Sequence, residues 1–245
     1  MNLSFSTRGW GDLSWDEMLQ EAVDMRFGGV EVYNLFKFPE LTDRGGPFHA
    51  HKVAATIRQL RDLKLKIPCF DTSVDLSSDP EALEILKDML ETARNAQVPY
   101  VVACALQENE ELVGETLEKL LPVAEAAGVT LLLKTSGIYA DTARLRSMLE
   151  SFASDWLGAL WDMHHPYRDF GESADATIKN LGTYVKHVHL RDSDDNGDYQ
   201  LIGEGNMPIP DMIRALGSIN YDGFISLEWK PEWMEDLQDR EIIFP

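Results

Sequence analysis

The chain has 245 residues, 44% of them hydrophobic and 26% charged, a mix that excludes a collagen-like, mucin-like or wholly disordered protein. Forty-two Asp and Glu against 22 Lys and Arg leave a formal charge of −20. Nucleic-acid binding draws its affinity from cations that neutralise phosphates, so neither nucleic acid nor an anionic membrane is an expected partner.

From the amino end, MNLSFSTRGW lacks the basic start and apolar core of a signal peptide. Short runs rich in Val, Ile, Leu, Phe and Tyr follow at 3–7, 29–34, 66–71, 100–104, 129–134, 157–162, 184–190 and 224–229. Their low internal polarity suits parallel strands covered on both faces. Helical patterns lie between them. Ser14-Trp15-Asp16-Glu17 is a capping box, and Gly28-Gly29 ends the helix that it opens. Asp79-Pro80 opens a second helix with Pro80 at the first helical position, and a third runs from about 111 to 127 and stops at Gly128. Others cover 141–152, 173–181 and 210–219. Cys69 and Cys104 sit in apolar runs with no metal-type spacing, which reads as buried free thiols in a reduced, cytoplasmic setting. No apolar run reaches the roughly 18 residues that a membrane span needs.

Eight strand–helix units favour a closed (β/α)8 barrel, one domain over residues 1–245, above an open nucleotide-binding sheet. Thr7-Arg8-Gly9-Trp10-Gly11 is a poor glycine-rich phosphate loop. After the eighth strand only 230–245 remain. Either a short helix over 231–237 closes the ring, or the full last helix lies in a longer protein. Trp233 and Phe244 are read as exposed, at an interface or at a junction with further chain.

Catalytic groups of such barrels stand at the carboxyl ends of the strands. There the sequence places Lys134, then Asp162 with His164 and His165, then His187-Val188-His189-Leu190-Arg191-Asp192, then Glu228. Carboxylates with an imidazole around one point suit a divalent ion such as Mn, Mg, Co or Zn, and Asp162, His189 and Glu228 are the candidate ligands. His187 shares a side with His189 but lies deeper. Glu31 and Asp71, at the second and third strand ends, are expected to line the mouth. His49 and His51 read as solvated or structural, and the acidic stretch around Asp192, Asp194, Asp195 and Asp198 as a solvated turn.

Asp162-x-x-His165, His187-x-His189-Leu-Arg-Asp, Gly203-Glu204-Gly205 and Ser226-Leu227-Glu228 together resemble the xylose isomerase-like barrel superfamily, which includes sugar isomerases, epimerases and endonuclease IV. The resemblance implies a divalent metal held by a fifth-strand Glu, a sixth-strand Asp, a seventh-strand His and an eighth-strand Glu. It also implies proton transfer beside a carbonyl of a small keto sugar or polyol, phosphorylated or not. His165 and Arg191 match substrate-contacting positions.

Lys134 departs from that pattern, since it stands where the resemblance implies Glu. Its ammonium swings away, takes the metal's place between Asp162 and Glu228, or serves as a base or Schiff-base former, which puts Lys134 beside His165 and Glu228 among the candidate catalytic residues. The substitution argues for weakened metal binding or none. The loop 135–139 also offers no second acid/base. The alternative function is therefore a catalytically impaired sugar-binding barrel, as a homo-oligomer or a fused module. A nuclease is disfavoured by the −20 charge.

Overall fold

The computed structural model describes residues 1–10, 13–233 and 243. The strands are β1 (Asn2–Ser6), β2 (Gly29–Tyr33), β3 (Phe70–Asp75), β4 (Tyr100–Cys104), β5 (Thr130–Lys134), β6 (Leu157–Asp162), β7 (Val185–Leu190), β8 (Asp192–Ser193), β9 (Tyr199–Gln200) and β10 (Phe224–Leu227). Eight of them close into a parallel barrel in the order β1-β10-β7-β6-β5-β4-β3-β2, while β8 and β9 form a small antiparallel pair. This is the expected (β/α)8 barrel, with the eighth barrel strand numbered β10.

The boundary signals mostly act as read. Ser14 accepts from the Glu17 amide and Glu17 returns the bond, opening α1 (Trp15–Asp24). α5 (Glu110–Ala127) ends where Gly128 adopts a left-handed φ of 68°. Asp141 and Ser173 cap α6 (Thr142–Phe152) and α8 (Ala174–Leu181), and α9 (Ile209–Ser218) precedes β10. The helix expected from Asp79-Pro80 begins later, as α4 (Ala82–Ala96). Asp79 does accept from the Glu81 amide as a cap would, but the Ala82 amide bonds back to the Asp79 carbonyl in a tighter turn before regular helical bonding starts. The reading lacked three helices, α2 (Pro39–Thr42), α3 (Val53–Leu63) and α7 (His164–Arg168). α2 and α7 are too short to show a period, and α3 buries only Thr56 and Leu60, too little apolar periodicity to announce itself.

The third strand is also displaced, running over Phe70–Asp75 rather than 66–71. Pro68 has no N–H to give a ladder, so Lys66 makes one isolated bridge to Gly29 and regular pairing starts after the proline. At the end of the barrel, Pro231–Trp233 forms one 3₁₀ turn. The rest of the expected 231–237 helix, and Phe244, lie outside the described residues. Trp233 is half-buried rather than exposed, its ring stacked on Tyr199 at 4.0 Å.

Side-chain alternation builds the site. Cys69, Val102, Leu132 and Leu160 form a small apolar cluster of their own, apart from the main core between sheet and helices. Two residues further along the same strands, Asp71, Lys134 and Asp162 share that inward side. In register, Asp162 of β6 pairs with His189 of β7, and His189 with Ser226 of β10. An oily layer thus supports a charged one.

Candidate functional site

The charged layer gathers side chains from nearly every strand. Glu31 and Glu228 are buried, as are Asp71, Asp162, Lys134, His189 and Arg191. Asp162, His189 and Glu228, far apart in sequence, meet as expected, and Glu31 and Asp71 join them.

His189 stands between two acids, with Nε2 2.8 Å from Glu31 Oε2 and Nδ1 3.3 Å from Glu228 Oε1. Burial favours the neutral ring, but Glu31 and Glu228 outweigh it and push its pKa up to about 9. His189 is therefore an imidazolium at neutral pH. His187 lies deeper, as expected, with Nε2 2.8 Å from Glu31 and 2.9 Å from Ser226 Oγ; burial lowers its pKa.

Lys134 crosses the centre of the cluster. Its ammonium is 3.4 Å from Asp162 Oδ2, 3.4 Å from Glu228 Oε1 and 3.7 Å from Asp71 Oδ2. Burial works against its charge, yet Glu228, Asp71 and Asp162 together raise its pKa above the ordinary lysine value. The side chain does not swing away. Its surroundings also oppose the neutral amine that a base or Schiff-base former requires.

Arg191 seals the rim. It hydrogen-bonds Asp162, lies 3.3 Å from Glu228 Oε2, and covers the faces of Tyr199 and Trp233. Its Nη2 is 3.0 Å from His165 Nε2. A guanidinium only donates, so that nitrogen of His165 accepts, and Nδ1 donates to Asp169 at 2.6 Å. Burial would raise the Asp162 pKa, but Arg191 and Lys134 hold it well below the usual range. Burial is likewise overridden at Glu228 by Lys134, His189 and Arg191, and at Glu31 by the two histidines. His164, bonded to Ser193 at 3.1 Å, is kept neutral by burial with its pKa down to about 4.

Two participants escaped the sequence reading. Arg8, just past β1, reaches Glu228 at 3.2 Å and stacks over Tyr33 at 4.8 Å. Its signal was its position immediately beyond a strand's carboxyl end. Asp192 is not part of a solvated turn. It is buried and accepts from the backbone amides of Ser193, Gly203, Gly205 and Met207, tying the Gly203-Glu204-Gly205 loop to the mouth. Asp194, by contrast, caps the turn amides of Asn196 and Asp198.

Donor atoms of Glu31, Asp71, His189 and Glu228 lie within 4.8 Å of one another, a spacing that suits a metal ion. Lys134 spoils the fit. An ion bonded at roughly 2.1 Å to both Asp162 Oδ2 and Glu228 Oε1 would lie within about 5.5 Å of the ammonium. At roughly 4 Å the two cations repel by about 8 kcal/mol at an effective dielectric near 20. Three cations, Lys134, Arg8 and Arg191, already face the three carboxylates of Asp71, Asp162 and Glu228.

A closed parallel barrel with converging polar groups at the carboxyl ends of its strands is the build of barrel enzymes that act on small molecules. The chain belongs to the xylose isomerase-like TIM barrel family, which matches residues 19–242. It is 22% identical to fructoselysine 3-epimerase of Escherichia coli O157:H7, over 96% of this chain and 93% of that one. It is 23% identical to inosose isomerase of Bacillus velezensis, over 87% of this chain and 82% of that one. Among solved structures it resembles the IOLI protein with a bound zinc atom, at a TM-score of 0.82 and 20% identity over 99% of this chain and 94% of that one. No helix among the described residues is long and apolar enough to cross a membrane.

Proposed function

We propose that this barrel moves a proton beside the carbonyl of a small keto sugar or polyol, as an isomerase or epimerase. The observation that carries the reading is the buried meeting of Glu228, Asp162 and His189 with Lys134 and Arg191 at the barrel's mouth. The relatives' names, sugar epimerase and inosose isomerase, support the substrate class.

Glu228 is ionised and serves as the proton acceptor at the carbon next to the carbonyl. The charge that develops on the carbonyl oxygen meets Lys134 and Arg191, preorganised cations in a site that excludes water. In isomerisation Glu228 returns the proton that it took to the neighbouring carbon. His165, the most exposed of these groups with 23% of its side chain accessible, faces the entering substrate. In epimerisation it takes a proton from solvent and gives it to the opposite face of the same carbon, while Glu228 releases its own to solvent. Glu31 and Asp71 orient hydroxyl groups. The buried unpaired thiols of Cys69 and Cys104 support a cytoplasmic setting.

Proton NMR in deuterated water, over ketohexoses, their phosphates and inososes, tests the reading. A substrate loses its signal at the carbon beside the carbonyl, and Glu228→Gln slows that loss by at least about 100-fold. Lys134 at the heart of the cluster favours a second reading, a barrel that binds sugar without turnover. Saturable binding of a sugar in calorimetry, with no deuterium uptake by any of the panel, establishes that one instead.

A further inference from the structure

The fifth strand ends at Lys134, where the resemblance implies a metal-binding carboxylate. The ammonium lies against Asp162 and Glu228, two of the three candidate metal ligands, and against Asp71. We infer that Lys134 is a resident cation that replaces the divalent ion, so that the mouth is complete without metal and offers ligand oxygens ammonium and guanidinium donors from Lys134, Arg191 and Arg8. The inference deepens the proposed function by naming the cation of that site, and rests on that reading only for the ligand's chemistry.

Three observations converge on it. The side chain is held at once by carboxylates of β3, of β6 and of the residue after β10, and without a cation in that seat these buried charges would lack a partner. Arg191 shares Asp162 Oδ2 with Lys134 and takes the Glu228 oxygen that Lys134 leaves, so each of the two carboxylates has two cationic partners. Lys134, Arg191 and Arg8, cations at any ordinary pH, already face the three carboxylates of Asp71, Asp162 and Glu228, and adding a divalent ion would bury two unmatched positive charges.

Metal content and Mn²⁺ or Zn²⁺ calorimetry on the full chain decide the matter, with Lys134→Glu as comparator. The wild type is expected to retain less than about 0.1 ion per chain after dialysis and to show the same melting temperature with and without EDTA, whereas Lys134→Glu takes up about one Mn²⁺ and binds it at least about 100-fold more tightly. One ion per wild-type chain, lost to EDTA with a fall in melting temperature, overturns the inference. So does a folded Lys134→Glu protein that binds metal no better than the wild type. If that variant does not fold, Lys134→Ala, which opens the same seat, takes its place under the same criterion. Deuterium exchange is scored separately: a metal-free wild type that exchanges no sugar proton upholds the resident cation and sinks the isomerase reading.

Discussion

Thr135 and Asp162 hold each other twice. The Thr135 hydroxyl donates to the Asp162 carbonyl at 3.1 Å and accepts from the Asp162 amide at 2.9 Å. The pair pins the end of β5 to the end of β6 and so sets the height at which Lys134 meets the Asp162 carboxylate. Thr135→Val keeps the volume but strands a buried amide and carbonyl. The expected cost is about 2 kcal/mol, a fall in melting temperature of roughly 4–8 °C for a domain of this size. In turnover, kcat falls more than KM rises, because the change disturbs alignment rather than contact.

Arg191 is the partner whose loss the cluster tolerates least. It touches Asp162 and Glu228 together and closes the rim against Tyr199 and Trp233. Arg191→Met leaves two buried carboxylates short of a cation, which costs about 3–5 kcal/mol in urea unfolding. Arg191→Lys restores the charge but not the planar fork, and recovers only part of the loss. Equal stability of the Met and Lys variants would mean that packing against the two rings, not charge, is what Arg191 supplies.

The eight strands were legible because buried parallel strands read as unbroken apolar runs, and Asp162, His189 and Glu228 because polar residues interrupt those runs at one end. Pro68 moved the third strand, an effect that composition alone hides, since the residues before and after it are equally apolar. Arg8 was invisible because it sits in what reads as a failed glycine loop. Asp192 was misjudged because the amides that it accepts, from Gly203, Gly205 and Met207, are more than ten positions away. For Lys134 the sequence showed the substitution but not its outcome. Which way a long side chain turns depends on charges of β3, of β6 and of the residue after β10, which only the closed ring brings together.

The Asp192 carboxylate gives one testable consequence of that loop arrangement. Its two oxygens accept four backbone amides, and an amide side chain can offer only one accepting atom. Asp192→Asn therefore turns an NH₂ group toward amide donors and destabilises by about 2 kcal/mol. Hydrogen exchange should show the loss concentrated at Gly203 and Gly205, with the barrel strands still protected. Uniform loss of protection would place the role of Asp192 in the whole fold rather than in this loop.

The pH dependence of stability should carry a signature of Asp75, at the end of β3. Burial raises its pKa, but hydrogen bonds from the Ser77 and Ser78 hydroxyls and from the Leu106 and Ser77 amides more than reverse that, leaving it below the ordinary value of 3.8. A carboxylate with a depressed folded pKa contributes stability above its unfolded pKa, and that contribution fades as pH falls through the folded one. Asp75→Asn should therefore cost about 1 kcal/mol at neutral pH, the group being partly exposed and screened. The gap between variant and wild type should stay constant down to about pH 5 and shrink below about pH 4. Urea titrations at several pH values measure it. A gap that persists undiminished in acid would show that the ionised carboxylate is not what joins β3 to the Leu106 loop.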